Sequence, residues 1–261
     1  MKLLEKVAII TGSGRGMGKE YALAFAKEGA KIVVNDTDDI SISSTIEKIK
    51  EIGGEAIGVV CDVSKSDSVK DMVSKASERF GRIDILVNNA GINPFIVPAE
   101  KINEEGWDRV MDVNLKGVFL CCKEVGKIMI KQKSGTIVNI SSQVALFGEY
   151  GFLPYAVSKA GVITITRNLA YEWARYNIRV NSIAPGFIAG GMNEPILKKE
   201  KIVEGLATRV PMKRFASPKE IANVVLFLVS DDSSYINGET IVIDGGMTGF
   251  YPVSFLDLIK K

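Results

Sequence analysis

The chain contains no histidine, and that absence removes several classes of chemistry at once. Ser-His-Asp and Cys-His nucleophilic systems, and metal centres ligated by imidazole, all need a ring that is not there. Whatever titrates here is Tyr, Lys, Cys, Asp or Glu. Cysteine is nearly as scarce, with three in 261 residues and two of them adjacent at 121 and 122. Such spacing makes neither a disulfide framework nor a metal site, so buried free thiols and no metal are expected. Low Cys and His usage beside abundant Ile, Lys and Glu resembles the composition of proteins from hot environments.

No charge of either sign dominates, since 33 Lys and Arg stand against 31 Asp and Glu for a net +2. Neither nucleic acid nor a membrane surface is suggested as a partner. No apolar run approaches the roughly 18 residues of a spanning helix, and the start, Met1 to Lys6, lacks the apolar core of a signal peptide. A cytoplasmic location is the resulting expectation. With 46% hydrophobic and 25% charged residues there is ample material for a buried core.

Seven short β-branched runs recur along the chain, at Val7 to Thr11, Lys31 to Asn35, Ala56 to Cys61, Ile83 to Asn88, Thr136 to Ser141, Arg179 to Ala184 and Thr240 to Ile243. Their continuous apolar character fits parallel strands covered on both faces, and the intervals leave room for crossover helices. Helical spacing predicts those helices at about 17–28, 40–52, 66–80, 100–133, 155–177 and 218–230, the last entered through Ser217-Pro218-Lys219-Glu220. The pattern predicts an α/β fold: a Rossmann-type, doubly wound, seven-stranded parallel sheet in a single domain. Residues 1–249 would form the dinucleotide-binding and catalytic unit, with a substrate lid at about 189–215 and an apolar tail at 250–261.

The first strand runs into Thr11-Gly12-Ser13-Gly14-Arg15-Gly16-Met17-Gly18 and then directly into a helical pattern. Glycines let the backbone take positive φ and approach a pyrophosphate, while the free N–H groups of a helix start favour an anion. Counted from Gly12 the usual Gly-x-Gly-x-x-Gly spacing fails at Met17; the fit is Thr-Gly-x-x-x-Gly-x-Gly. The second strand ends at Asp36, where a carboxylate can accept from an adenosine ribose and repel a 2′-phosphate. Its bland alternative is a solvated turn residue beside Asp38 and Asp39. Arg15 pulls toward NADP, but Asp36 is fixed at a strand end, so NAD is the expected cofactor.

Tyr155 and Lys159 are four residues apart on one helical face. An ammonium near a phenol stabilises phenolate and can lower its pKa toward neutrality, which suits proton exchange with an alcohol or ketone. Such a pair alone is usually an ordinary surface feature. Here it follows Val138-Asn139-Ile140-Ser141-Ser142, with Ser142 thirteen residues before the tyrosine.

Taken in order, Thr11 to Gly18, Asp62-Val63, Asn88-Asn89-Ala90-Gly91, Asn114, Ser142, Tyr155 with Lys159, and Pro185-Gly186 make the chain resemble the classical short-chain dehydrogenase/reductase family over residues 5–247. The resemblance implies hydride transfer between a nicotinamide and a secondary alcohol or ketone. It implies that Ser142 polarises the substrate oxygen, Tyr155 passes the proton, Lys159 lowers the tyrosine pKa and holds the ribose, and Asn114 anchors a water relay. Ser141 is the nearest rival to Ser142. Asp62 and Val63 would flank adenine, though Asp62 also reads as the cap of the helix near Ser66. Asn89, Ala90 and Gly91 would pack on a ribose, or else form a plain turn. Gly12, Arg15, Gly16, Met17 and Gly18 would hold the pyrophosphate, while Gly186 and the Ile188 backbone would meet the nicotinamide end.

Where many members carry a Thr four residues past that glycine, this chain has Gly190 and then Gly191. A looser lid and weaker cofactor capture are expected. Asn93, Pro94, Phe95, Gln143 to Phe147, Phe152 and Met192 are expected to face the substrate, a mostly apolar set that leans toward a hydrophobic ketone. The family's use of its long helices implies a homotetramer, with the tail packed on another subunit. A carrier-protein-dependent acyl reductase sharing the catalytic residues but using NADP is the main alternative. A nucleotide-sugar epimerase disagrees with the glycine spacing, and a non-catalytic sensor with the intact triad.

Overall fold

A computed structural model describes residues 1–191 and 197–249. Met192 and the tail at 250–261 lie outside the described residues. The strands are β1 (Val7–Ile10), β2 (Lys31–Asp36), β3 (Ala56–Val60), β4 (Ile85–Asn88), β5 (Gly135–Ile140), β6 (Ile178–Pro185) and β7 (Thr240–Ile243). They form one sheet in the order β3-β2-β1-β4-β5-β6-β7, every neighbouring pair parallel. This is the predicted doubly wound α/β architecture. The order reverses between β1 and β4, and a crevice therefore opens above the carboxyl ends of those strands.

Each face is covered because the central strands are apolar on both sides. On one face α1 (Gly16–Lys27), α2 (Asp39–Glu51) and a helix α8 (Pro218–Val229) pack Tyr21, Phe25, Ile49 and Val225 against Ile10, Ile32 and Val34. On the other, α3 (Ser66–Phe80), α5 (Gly117–Gln132) and α6 (Leu153–Trp173) pack Met72, Cys121, Val125 and Val162 against Ile9, Leu86 and Ile137. The three cysteines are buried free thiols, and burial pushes Cys122 up to about 12, which leaves it inert near neutrality. Among the described residues no helix is long and apolar enough to cross a membrane.

The single helix expected over 100–133 is not continuous. A 3₁₀ turn covers Ala99–Lys101, and Asn103 then caps α4 (Glu104–Met111) by accepting at 2.8 Å from the Gly106 N–H. Residues Asp112–Lys116 form a π-helical turn before α5 begins. The extra residue in that turn carries Asn114, so the side chain most in need of a fixed direction sits at the irregularity. Segment 197–215 contains a further helix, α7 (Glu200–Thr208), over the crevice side of the sheet.

Candidate active site

The crevice holds about 2060 Å³ and is lined by the glycine turn, the ends of β2 to β6, α4, α6 and α7. Along its glycine turn Gly12 and Gly16 have φ of +62° and +57°, a region where other residues are strained. A Cβ on Gly18 would run into the Gly12 carbonyl, and one on Gly16 would come within 3.2 Å of the Gly191 Cα. Gly191 itself has φ +61°, and Gly190 has φ +151°. Gly191 thus brings one backbone onto another at the start of α1, whereas a Cβ on Gly190 would meet only Pro218 Cγ at an ordinary 3.5 Å, so that its positive φ alone disfavours a Thr there.

Asp36 is held where β2 ends, its carboxylate accepting from the Thr37 N–H at 2.8 Å and the Gly14 N–H at 3.2 Å. Arg15 precedes α1, is exposed, and lines the same crevice with Met17. Asp62 does not cap α3, whose N-cap is Lys65 without a side-chain bond. The Asp62 carboxylate instead accepts from the Ser64 N–H at 2.9 Å and hydroxyl at 2.7 Å, because a loop residue so near its own chain closes a local Asx turn more readily than it reaches the helix. Val63 lies buried beside it in the crevice wall.

The ends of β1 and β4 are stitched together by Thr11 and Asn89. The Thr11 hydroxyl accepts from the Asn89 and Ala90 N–H groups, each at 3.0 Å, and the Asn89 amide donates to the Thr11 and Gly12 carbonyls. A second chain runs underneath, with Asn88 donating to Asn139 at 2.8 Å and Asn139 to Thr166 at 2.9 Å, so that β4, β5 and α6 are fixed in register. Thr11 and Asn139 enter the sequence reading only as members of their motifs and Ser158 is not named there, since buried partners at separations of 27 to 79 residues leave no local signature.

At the opposite end Ser142, Tyr155 and Lys159 converge on the crevice. Ser141 turns away, donating to the Lys159 carbonyl at 2.8 Å, which leaves Ser142 as the hydroxyl facing Tyr155. Burial around the phenol raises its pKa, opposed by the Ser142 hydrogen bond. Lys159 is buried, donates to the Ile140 carbonyl at 2.8 Å, and is held down at about 8 by the loss of water. The expected lowering of the tyrosine by Lys159 is therefore not the dominant effect in this pocket. Desolvation wins because both groups are enclosed and Nζ is committed to a carbonyl.

Asn114 is wholly buried, its oxygen accepting from the Ile92 N–H at 2.7 Å and its amide donating to the Ile92 carbonyl and the Ser158 hydroxyl. Ser158 in turn donates to the Tyr155 carbonyl at 2.7 Å. A Cβ on Gly91 would lie 3.3 Å from both the Asn114 oxygen and the Lys159 Nζ, so a bare glycine keeps that junction open. Gly186 is similarly constrained, with Asp244 Cα 2.8 Å from where its Cβ would stand, and Ile188 is bridged to Ala216.

Comparison with known proteins decides the lineage. Residues 12–248 match the family described as Enoyl-(Acyl carrier protein) reductase. A 3-oxoacyl-(acyl-carrier-protein) reductase of Thermotoga maritima is 45% identical over 247 residues, covering 95% of this chain and 99% of that protein. The chain belongs to the short-chain dehydrogenase/reductase family. Solved members of that family share its whole fold: a levodione reductase is 39% identical with a TM-score of 0.92, over 95% of this chain and 100% of that one. An NAD⁺-bound xylitol dehydrogenase is 34% identical with a TM-score of 0.91, over 94% and 100%. The protein is thus an oxidoreductase of a family that binds a nicotinamide cofactor.

Its glycine turn fits such a dinucleotide, because the two positive-φ positions and the blocked Cβ at Gly18 leave only backbone along the crevice floor. Substrate-side expectations fare unevenly. Asn93, Gln143, Val144 and Phe152 line the crevice, while Pro94, Phe95, Ala145, Leu146 and Phe147 do not. Phe95 packs toward Gly106 of α4, and Leu146 points outward. The crevice lining is mainly apolar, and it also carries Glu104, Asp108, Arg109, Lys198 and the Arg209–Glu149 ion pair at 2.5 Å.

Proposed function

We propose that the protein is an NAD(H)-dependent oxidoreductase that interconverts a secondary alcohol and a ketone in the cytoplasm. The observation that carries this reading is the convergence of Ser142, Tyr155 and Lys159 at the end of the crevice opposite Asp36. When bound, the nicotinamide supplies or takes up the hydride. Ser142 holds the substrate oxygen, where negative charge grows as hydride arrives at carbon, and a fixed donor there lowers the barrier most. Tyr155 delivers its phenolic proton to that oxygen in reduction and takes it back in oxidation. Lys159 keeps a positive charge beside the phenol and offers its remaining protons to ribose hydroxyls. Asn114 fixes the backbone of Ile92 and, through Ser158, the start of α6, and it would anchor a water leading toward solvent.

Asp36 supports NAD over NADP, because its carboxylate is pinned at the ribose end and would repel a 2′-phosphate. Exposed Phe119 on α5 with Leu153 and Val157 on α6 supports the reading of a homotetramer. The relative from Thermotoga maritima supports a second reading, a carrier-protein-dependent 3-oxoacyl reductase using NADPH. Initial rates with a panel of ketones, polyols and a 3-oxoacyl thioester, each with NADH and NADPH, separate the two. A preference for NADH on free ketones is expected. Strong preference for NADPH with the thioester alone would replace the first reading by the second.

A further inference from the structure

Tyr21 is fully buried in α1, and its hydroxyl has no hydrogen-bond partner among the described residues. Burial raises its pKa above the ordinary tyrosine value, so the hydroxyl keeps its proton and remains a donor. A buried donor left unpaired is costly, and such a group in a native fold calls for an explanation. Although covered by protein, the side chain forms part of the crevice wall, as do Met17, Ile140, Gly186 and Ile188. Its direction follows from its helix. Lys19 donates to Ser44 of α2, and the Ala26 Cβ is 3.1 Å from where a Cβ on Gly54 would stand, so the row of residues 19, 22 and 26 faces α2 and the loop into β3. Met17, Tyr21 and Phe25, at intervals of four, form the adjoining row and face the β4 to β6 side of the sheet. Gly191 marks that side, for a Cβ on it would lie 3.8 Å from the Met17 Cγ. Long helical side chains lean back toward the start of their helix, so the Tyr21 ring reaches over the turn of Met17 toward the crevice.

We propose that Tyr21 is a further cofactor-positioning residue whose hydroxyl donates to the carboxamide oxygen of the nicotinamide. This rests on the nicotinamide reading above. The Ile140 carbonyl holds Lys159, so the wall that Tyr21 shares with Ile140 adjoins the end of the crevice where Tyr155 acts. The nicotinamide ring carries one strong acceptor, its carboxamide oxygen, and Gly190 and Gly191 have no side chain to offer a donor there. Met17, unbranched and flexible, can give way as the ring settles. A fixed carboxamide holds the ring in one rotation about its glycosidic bond, which is the orientation that hydride transfer needs.

The test is Tyr21→Phe, which keeps the ring and removes the hydroxyl. Affinity for the tighter-binding of NADH and NADPH, measured by fluorescence titration without substrate, is expected to fall by about three- to tenfold. ADP-ribose carries the adenosine and pyrophosphate but no nicotinamide, and calorimetric titration is expected to show it binding variant and wild type alike. The melting temperature of the free protein is expected to hold or rise, since the variant no longer buries an unpaired hydroxyl. Unchanged affinity for the reduced cofactor overturns the proposal. So does an equal loss for that cofactor and ADP-ribose, which would make Tyr21 a support for the glycine turn or a contact of the pyrophosphate. A fall in the melting temperature of the free protein also overturns it, because the hydroxyl would then be paired within the fold. If the wild type binds neither NADH nor NADPH, the nicotinamide reading fails and this inference fails with it. Cofactor binding without dependence on Tyr21 sinks the inference alone.

Discussion

The Lys159 ammonium lies 5.7 Å from the centre of the Tyr155 ring and donates to the Ile140 carbonyl instead of to the phenol. The pair is thus coupled through space, with the carbonyl fixing where the charge sits. In the proposed mechanism proton transfer falls to Tyr155, the group that Ser142 faces. Replacing it by phenylalanine removes the transferable proton and leaves the ring. We expect kcat to fall by about 10²- to 10⁴-fold, with NADH affinity nearly unchanged by fluorescence titration. A Tyr155→Phe protein of normal activity would defeat the mechanism.

Lys159 also makes a statement about stability. Its folded value of about 8 lies below the ordinary lysine value, so between the two the unfolded chain binds more protons than the native one. Stability contributed at this site therefore rises with pH through that window, and below pH 8 the buried charge costs about 3 kcal/mol. Lys159→Met should raise the melting temperature at pH 7 despite losing about 1 kcal/mol from the Ile140 bond. The gain should shrink toward pH 10, and calorimetry showing no pH dependence would contradict the assignment.

Asp36→Asn keeps one acceptor oxygen, enough for either the Gly14 or the Thr37 N–H but not both, and removes the negative charge. The ratio of kcat/KM with NADH to that with NADPH should fall by about tenfold, equivalent to about 1.4 kcal/mol. The melting temperature should move little. An unchanged ratio would show that cofactor choice is made elsewhere in the crevice.

Two glycines offer a matched pair. In Gly18→Ala the new Cβ meets the Gly12 carbonyl and the Asn89 amide at 2.7 Å, and backbone cannot yield cheaply. A loss of about 1–3 kcal/mol and weakened NADH binding are expected. Gly205 is exposed within α7 with nothing near its Cβ, so Gly205→Ala should add about 0.5–1 kcal/mol. Equal melting temperatures for the two variants would mean that the glycine turn is far softer than its packing implies.

Much of this was written locally. Strand runs such as Val7–Ile10 and Gly135–Ile140, the glycine turn and the Tyr155–Lys159 interval all act over a few residues, where hydrophobic period and backbone freedom decide the outcome. The parallel sheet followed from the same local patterns, because continuous apolar strands separated by helices have few ways to cover both faces. The tertiary structure alone decided the π-helical turn at Asn114, the local bond of Asp62, the contact of Gly16 with Gly191, and the Gln143 oxygen unpaired among the described residues. Each of these depends on what a distant segment places against the residue. Spacing along the chain fixes which face a side chain leaves from, whereas burial and partner geometry, and through them the pKa values of Tyr155 and Lys159, exist only once the strands have met.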